Sequence, residues 1–106
     1  MTRRISYTKD AERDLREITT CTRKTWGDAQ ARKYLRALHN DIAALRETAL
    51  RHPLFDEVLP GLRRLASGHH FVFYLAKEDR VLIARVKHER QDSSDLAADQ
   101  ARVSEM

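Results

Sequence analysis

The spacing of the apolar residues changes once in the body of this chain, and that change limits the folds open to it. From Ala11 to Ala49 they recur every three or four residues; from Leu62 to Val86 they alternate. The first spacing belongs to helices and the second to strands. His52-Pro53 marks the end of the helical part, because proline lacks a backbone N–H and disfavours the α conformation at the residue before it. A helical part followed by a run of strands predicts an α+β domain.

Each element can be placed from local signals. Arg4-Ile5-Ser6-Tyr7-Thr8 alternates and is rich in β-branched and aromatic residues, which predicts a short first strand. Thr8 suits a helix N-cap, with Asp10 and Glu12 in the first turn. Ala11, Leu15, Ile18 and Thr22 then form one stripe of a helix to about Lys24. Gly27 fits a left-handed C-terminal position and Asp28 a second cap. The second helix is the best defined, with Ala31, Leu35, Leu38, Ile42, Leu45 and Ala49 on one face. So short a break predicts an antiparallel helical hairpin.

After a connector to Pro60-Gly61 come three strands, at 61–66, 69–76 and 81–88, with turns at Ser67-Gly68 and 77–80. The middle one is apolar on both faces, as a central strand should be. In the last, Leu82, Ala84 and Val86 are expected to oppose Val81, Ile83, Arg85 and Lys87. The expected order is β-α-α-β-β-β, a helical hairpin packed on a small, mostly antiparallel sheet. The other sheet face is left to the tail or a partner. The domain is expected to span 1–96. Residues 97–106 would be an acidic C-terminal tail without fixed structure, and Ser93 or Ser94 could cap a short terminal helix before it.

Composition excludes several classes. At 106 residues one domain is expected. The longest apolar run, Phe71 to Ala76, has six residues, against the roughly 20 a bilayer span needs. No apolar region follows Arg3-Arg4, so no secretory signal is expected. Cys21 has no second cysteine to pair with, and a cytoplasmic location follows. His69, His70 and His88 come nearest to a metal cluster, but neighbours on a strand point to opposite faces, so no metal and no cofactor is expected. There is no phosphate-binding glycine loop and no nucleophile motif.

The net charge of +4 is unevenly spread: +3 over residues 1–25, neutral over 26–61, +4 over 62–90 and −3 over 91–106. A basic body predicts an anionic partner, nucleic acid or an acidic protein segment, unless the charge serves only to keep sheet edges soluble. Arg63, Arg64, Arg85, Lys87, His88 and Arg90 come from strands expected to be neighbours and could line one concave cationic surface. Trp26 is read either as a contact residue at the hairpin tip or as packing.

Four segments, in this order, carry a family resemblance: Ala11 to Ile18; Trp26-Gly27-Asp28-Ala29-Gln30-Ala31 with Tyr34-Leu35; Pro60 to Tyr74; and Ile83 to Asp92. Over residues 4–96 the chain resembles the ParE branch of the RelE/ParE toxin superfamily, whose β-α-α-β-β-β fold agrees with the pattern above. The resemblance implies the toxin of a bacterial type II toxin–antitoxin pair, blocking DNA gyrase and held inactive by a ParD-like antitoxin. DNA would then be reached only indirectly, through the antitoxin, and no membrane would be involved. The implied target-binding residues are Arg63, Arg64, Arg85, His88 and Arg90; the implied antitoxin contacts are Trp26, Tyr34 and Leu38. No residue would be catalytic.

The other branch of the superfamily cleaves messenger RNA on the ribosome. Aligned on Ser67-Gly68, its strand lysines fall on Gly61 and Arg63, its third-strand Arg on His70, its terminal Arg on Glu89 and its terminal Tyr near Asp95 or Leu96. Glu89 would repel a scissile phosphate. An endoribonuclease working through His70, His88 and Arg63 is the alternative, and a degenerate toxin that only binds its antitoxin is a third reading.

Overall fold

The structure is a computed structural model that describes residues 2–90. The expected boundary at residue 96, the acidic tail and the Ser93/Ser94 cap lie outside the described residues. The elements are β1 (Arg4–Tyr7), α1 (Lys9–Trp26), α2 (Asp28–Thr48), β2 (Leu62–Ser67), β3 (His70–Ala76) and β4 (Arg80–His88). They confirm the α+β, β-α-α-β-β-β order.

Thr8 caps α1 as expected, its hydroxyl accepting from the Ala11 N–H at 3.0 Å. The helices are joined by Gly27 alone, at φ 85° and ψ 167°. This is not the expected left-handed cap but a more extended positive-φ conformation, open essentially only to glycine. Its N–H donates to the Arg23 carbonyl at 2.9 Å, and its own carbonyl accepts from Ala31 at 3.0 Å. One residue therefore ends α1 and starts α2, and Asp28 is the first helical residue rather than a cap.

The strands form one sheet in the order β1-β4-β3-β2. β2 pairs with β3 and β3 with β4 antiparallel, while β1 lies parallel to β4. The third expected strand starts one residue late: Gly68 and His69 form the turn and β3 begins at His70.

One face of the sheet (Leu65, Val72, Tyr74, Val81, Ile83, Val86) packs on Ala11, Ile18, Leu38, Ile42, Leu45 and Ala49 of the helical part. Val86 departs from the expected alternation. Phe73 pairs with Arg85 but Tyr74 pairs with Ile83, so Ala84 has no opposite number on β3. This β-bulge resets the parity of the strand. Ala84 joins the second core while Val86 joins Val81 and Ile83 in the first.

The second face is not left bare for a tail or a partner. The connector folds back, bridging Leu54 to Arg63 and donating from the Phe55 N–H to the Leu62 carbonyl. Phe55, Val58 and Leu59 then pack against Leu62, Phe71, Phe73, Leu75 and Ala84. Among the described residues no helix is long and apolar enough to cross a membrane.

Candidate functional site

Polar side chains converge at one end of the sheet, where the β2–β3 turn meets the end of β4 and the middle of α2. Gly68 makes this meeting possible. At φ 57° it takes the left-handed conformation, and a Cβ there would stand 2.7 Å from the ring and hydroxyl of Tyr34. Glycine therefore serves both the turn and the close approach of α2. The half-buried Tyr34 hydroxyl accepts from the His69 N–H at 2.9 Å and meets His70 Nδ1 at 2.6 Å. Beside it, the Ser67 hydroxyl donates to Asp41 of α2 at 2.6 Å.

Three histidines meet here, although two are adjacent in sequence. His70 contacts His88 edge to face at a ring separation of 5.2 Å, and His69 stacks on His88 at 6.3 Å. The expectation that neighbours must point apart fails because His69 lies in the turn, outside the pleat. Burial, then the proximity of His88 and His69, lowers the His70 pKa below its ordinary value of 6.5, with Glu89 opposing weakly. A neutral ring accepting from Tyr34 at Nδ1 carries its proton on Nε2. The Arg90 N–H donates to His88 Nδ1 at 3.1 Å, and His69 Nδ1 lies 3.1 Å from a Glu89 carboxylate oxygen. Among the described residues no group of three or more His, Cys, Asp or Glu side chains is arranged to hold a metal ion.

The basic residues expected on one surface are dispersed. Arg63 reaches the His52 carbonyl with a 2.7 Å bond. It lies opposite Tyr74, whereas His70 lies opposite Ser67 four residues on, about 13 Å along the strand. Arg64 lies on the other face, its guanidinium 4.4 Å from the Phe71 ring centre and 5.2 Å from that of Phe55. Arg85 turns to α1, where Asp14 binds it at 2.7 and 3.0 Å. Lys87 is buried opposite Phe71, and His88 and the exposed Arg90 remain together at the histidine end.

Of the three residues expected at an antitoxin surface, Trp26 is 66% exposed at the helical corner and Tyr34 is half-buried, whereas Leu38 is 1% exposed and belongs to the core. Asp14 escaped the sequence reading, which put Leu15 on the buried stripe. The available signal was an acid in step with Ala11, Ile18 and Thr22, together with a lone Arg inside an apolar strand.

The fold is thus a helical pair on one face of a four-stranded sheet with a parallel edge strand. The chain superposes on a solved chain of a chromosomal ParDE toxin–antitoxin system from P. aeruginosa with a TM-score of 0.71, at 19% identity, covering 82% of this chain and 96% of the other. It is 38% identical over 93 residues to Toxin ParE of Escherichia coli (87% of this chain, 90% of the relative). To Toxin ParE1 of Mycobacterium tuberculosis (strain CDC 1551 / Oshkosh) it is 36% identical over 93 residues (87% and 95%). Residues 5–93 match the family model described as ParE toxin of type II toxin-antitoxin system, parDE. The chain belongs to the ParE family and is the toxin of a type II toxin–antitoxin system.

Proposed function

We propose that this toxin arrests growth in the cytoplasm by binding DNA gyrase, without catalysis of its own, and that a cognate ParD-like antitoxin neutralises it. Family membership supports the reading, and one observation of the structure carries it: the groups a nuclease would gather around a scissile phosphate lie in two separate places. Arg63, His70 and His88 do not form one site, since Arg63 is about 13 Å along the sheet from the histidine pair. Binding at the sheet end needs no such convergence. His88 and Arg90 are the proposed target contacts there, and Arg64 a peripheral one. The exposed Trp26 gives an antitoxin segment an apolar anchor at the helical corner.

The test is a supercoiling assay with purified gyrase, relaxed plasmid and ATP, with and without the toxin freed from its antitoxin. Loss of supercoiling, or accumulation of cleaved DNA, is expected. Unaffected gyrase together with growth arrest in cells would overturn the proposal.

The contact of His70 with His88 favours a second reading, an endoribonuclease in which the histidine pair supplies the acid–base chemistry. Transcript cleavage that disappears in His88→Ala would support it, and intact transcripts during growth arrest would exclude it.

A further inference from the structure

Between the exposed Asp28 and Asp41, the outward face of α2 carries bases with no acid among them. Between Ala29 and Asn40 the chain has Arg32, Lys33, Arg36 and His39 but neither Asp nor Glu, and all four bases are exposed. On α1 the exposed charges are instead mixed in sign, as Glu12, Arg13, Arg16 and Glu17. Among the described residues Arg32, Lys33 and Arg36 have no ion-pair partner. An ordinary solvated helix face intersperses both signs, which limits self-repulsion.

The geometry of this face is set by the opposite one. Ala31, Leu38, Ile42 and Leu45 are buried against the sheet and fix the rotation of α2. Four-residue steps then put Arg32, Arg36 and Asn40 in one row and Ala29, Lys33 and Ala37 in the next, about 6 Å per step along the axis. These same six residues line an open depression of about 440 Å³.

We propose that this face docks the phosphate backbone of duplex DNA. Its long side chains offer only hydrogen-bond donors and positive charge, together with the Asn40 amide, and Arg and Lys on a helix are the usual partners of phosphate oxygens. An amphipathic acidic peptide would also need apolar anchors. Among the described residues the exposed large hydrophobic ones, Trp26, Leu50 and Leu54, all lie outside the depression, whose only apolar residues are alanines. A polyanion held by charge alone fits such a face, whereas a folding peptide does not. The proposal replaces the expectation that DNA is reached only through the antitoxin, and it holds whichever target the toxin has.

Fluorescence anisotropy of the full-length toxin, freed from antitoxin, with a short labelled duplex tests it without gyrase. Three phosphate contacts give a slope of log affinity on log salt of about −2.7, or about 40-fold weaker binding between 50 and 200 mM salt. Arg32→Ala with Arg36→Ala, folded by circular dichroism, is expected to reduce the slope to about −0.9, while Arg13→Ala with Arg16→Ala leaves it unchanged. Absence of binding at the lower salt, or an unchanged slope in the folded Arg32/Arg36 variant, would overturn the proposal. Equally tight binding of poly-glutamate would overturn it too and assign the face to an acidic protein segment.

Discussion

Asp14 and Arg85 close the free edge of β4. The carboxylate binds the guanidinium at two points, 2.7 Å to Nε and 3.0 Å to Nη2, and accepts from the Val86 N–H at 2.9 Å. β1 stops pairing at Ile83, and the Thr8 hydroxyl donates to the Ala84 carbonyl at 2.7 Å. α1 thus supplies the partners that a neighbouring strand would otherwise supply. The side chains are only 10% and 16% exposed, so neither charge is well solvated without the other.

Removing one partner therefore leaves an uncompensated buried charge. Asp14→Ala and Arg85→Ala are each expected to cost about 3–5 kcal/mol in urea unfolding, and the double variant much less than their sum. A loss of toxicity in Arg85 variants is accordingly expected to come with a loss of stability. Additive costs would show that the pair is not coupled.

Gly68→Ala should cost about 2 kcal/mol, from the left-handed backbone and from the 2.7 Å approach to Tyr34. The ring cannot retreat without giving up His69 and His70. Faster hydrogen exchange at the His69 N–H in this variant would report the broken bond, whereas unchanged exchange and stability would contradict the packing described.

His70 makes stability depend on pH in a defined direction. Its folded pKa lies below its ordinary value of 6.5, so the unfolded chain takes the proton first. The contribution is complete above that value and is lost as pH falls from it towards the lowered folded pKa. Thermal melts at pH 7.5 and 5.5 should show a smaller fall in Tm for His70→Gln than for the parent. Equal falls would mean that His70 titrates as it does in the unfolded chain.

Tyr74 is fully buried and its hydroxyl donates to the Ala49 carbonyl at 2.7 Å. Tyr74→Phe keeps the ring but orphans that carbonyl, at a cost of about 1–2 kcal/mol. Burial pushes the phenol up to about 12, with Arg63 pulling the other way. The unfolded chain ionises first, near 10, so stability is lost as pH rises above 10. Ultraviolet titration should find phenolate absorbance missing in Tyr74→Phe only near pH 12; a difference near pH 10 would show the hydroxyl to be solvated.

Trp26→Ala should change stability by no more than about 0.5 kcal/mol, because the side chain is already 66% exposed. Its effect is expected on antitoxin binding, at least tenfold weaker by calorimetry if the ring is a central anchor. Unchanged affinity would remove the helical corner from the interface.

The sequence by itself determined what depends on near neighbours. The apolar stripe of α2, the Thr8 cap, the break at Gly27, the stop at Pro53 and the two-sided apolar character of β3 all follow from the 3.6 and 2.0 periods and from backbone sterics. The family was legible for the same reason, since its motifs are local runs in a set order. Tertiary structure alone decided how those pieces meet. Nothing local requires β1 to lie parallel beside β4, the connector to cover the second sheet face, or Ala84 to bulge and send Val86 to the helices. Strand pairing couples residues some 75 positions apart, such as Arg4 with Arg80, and one extra residue in a strand reverses every side chain beyond it. Arginines that share a charge in sequence are separated in space on the same grounds: Arg63 serves a backbone carbonyl, Arg64 an aromatic pair, and Arg85 a buried carboxylate.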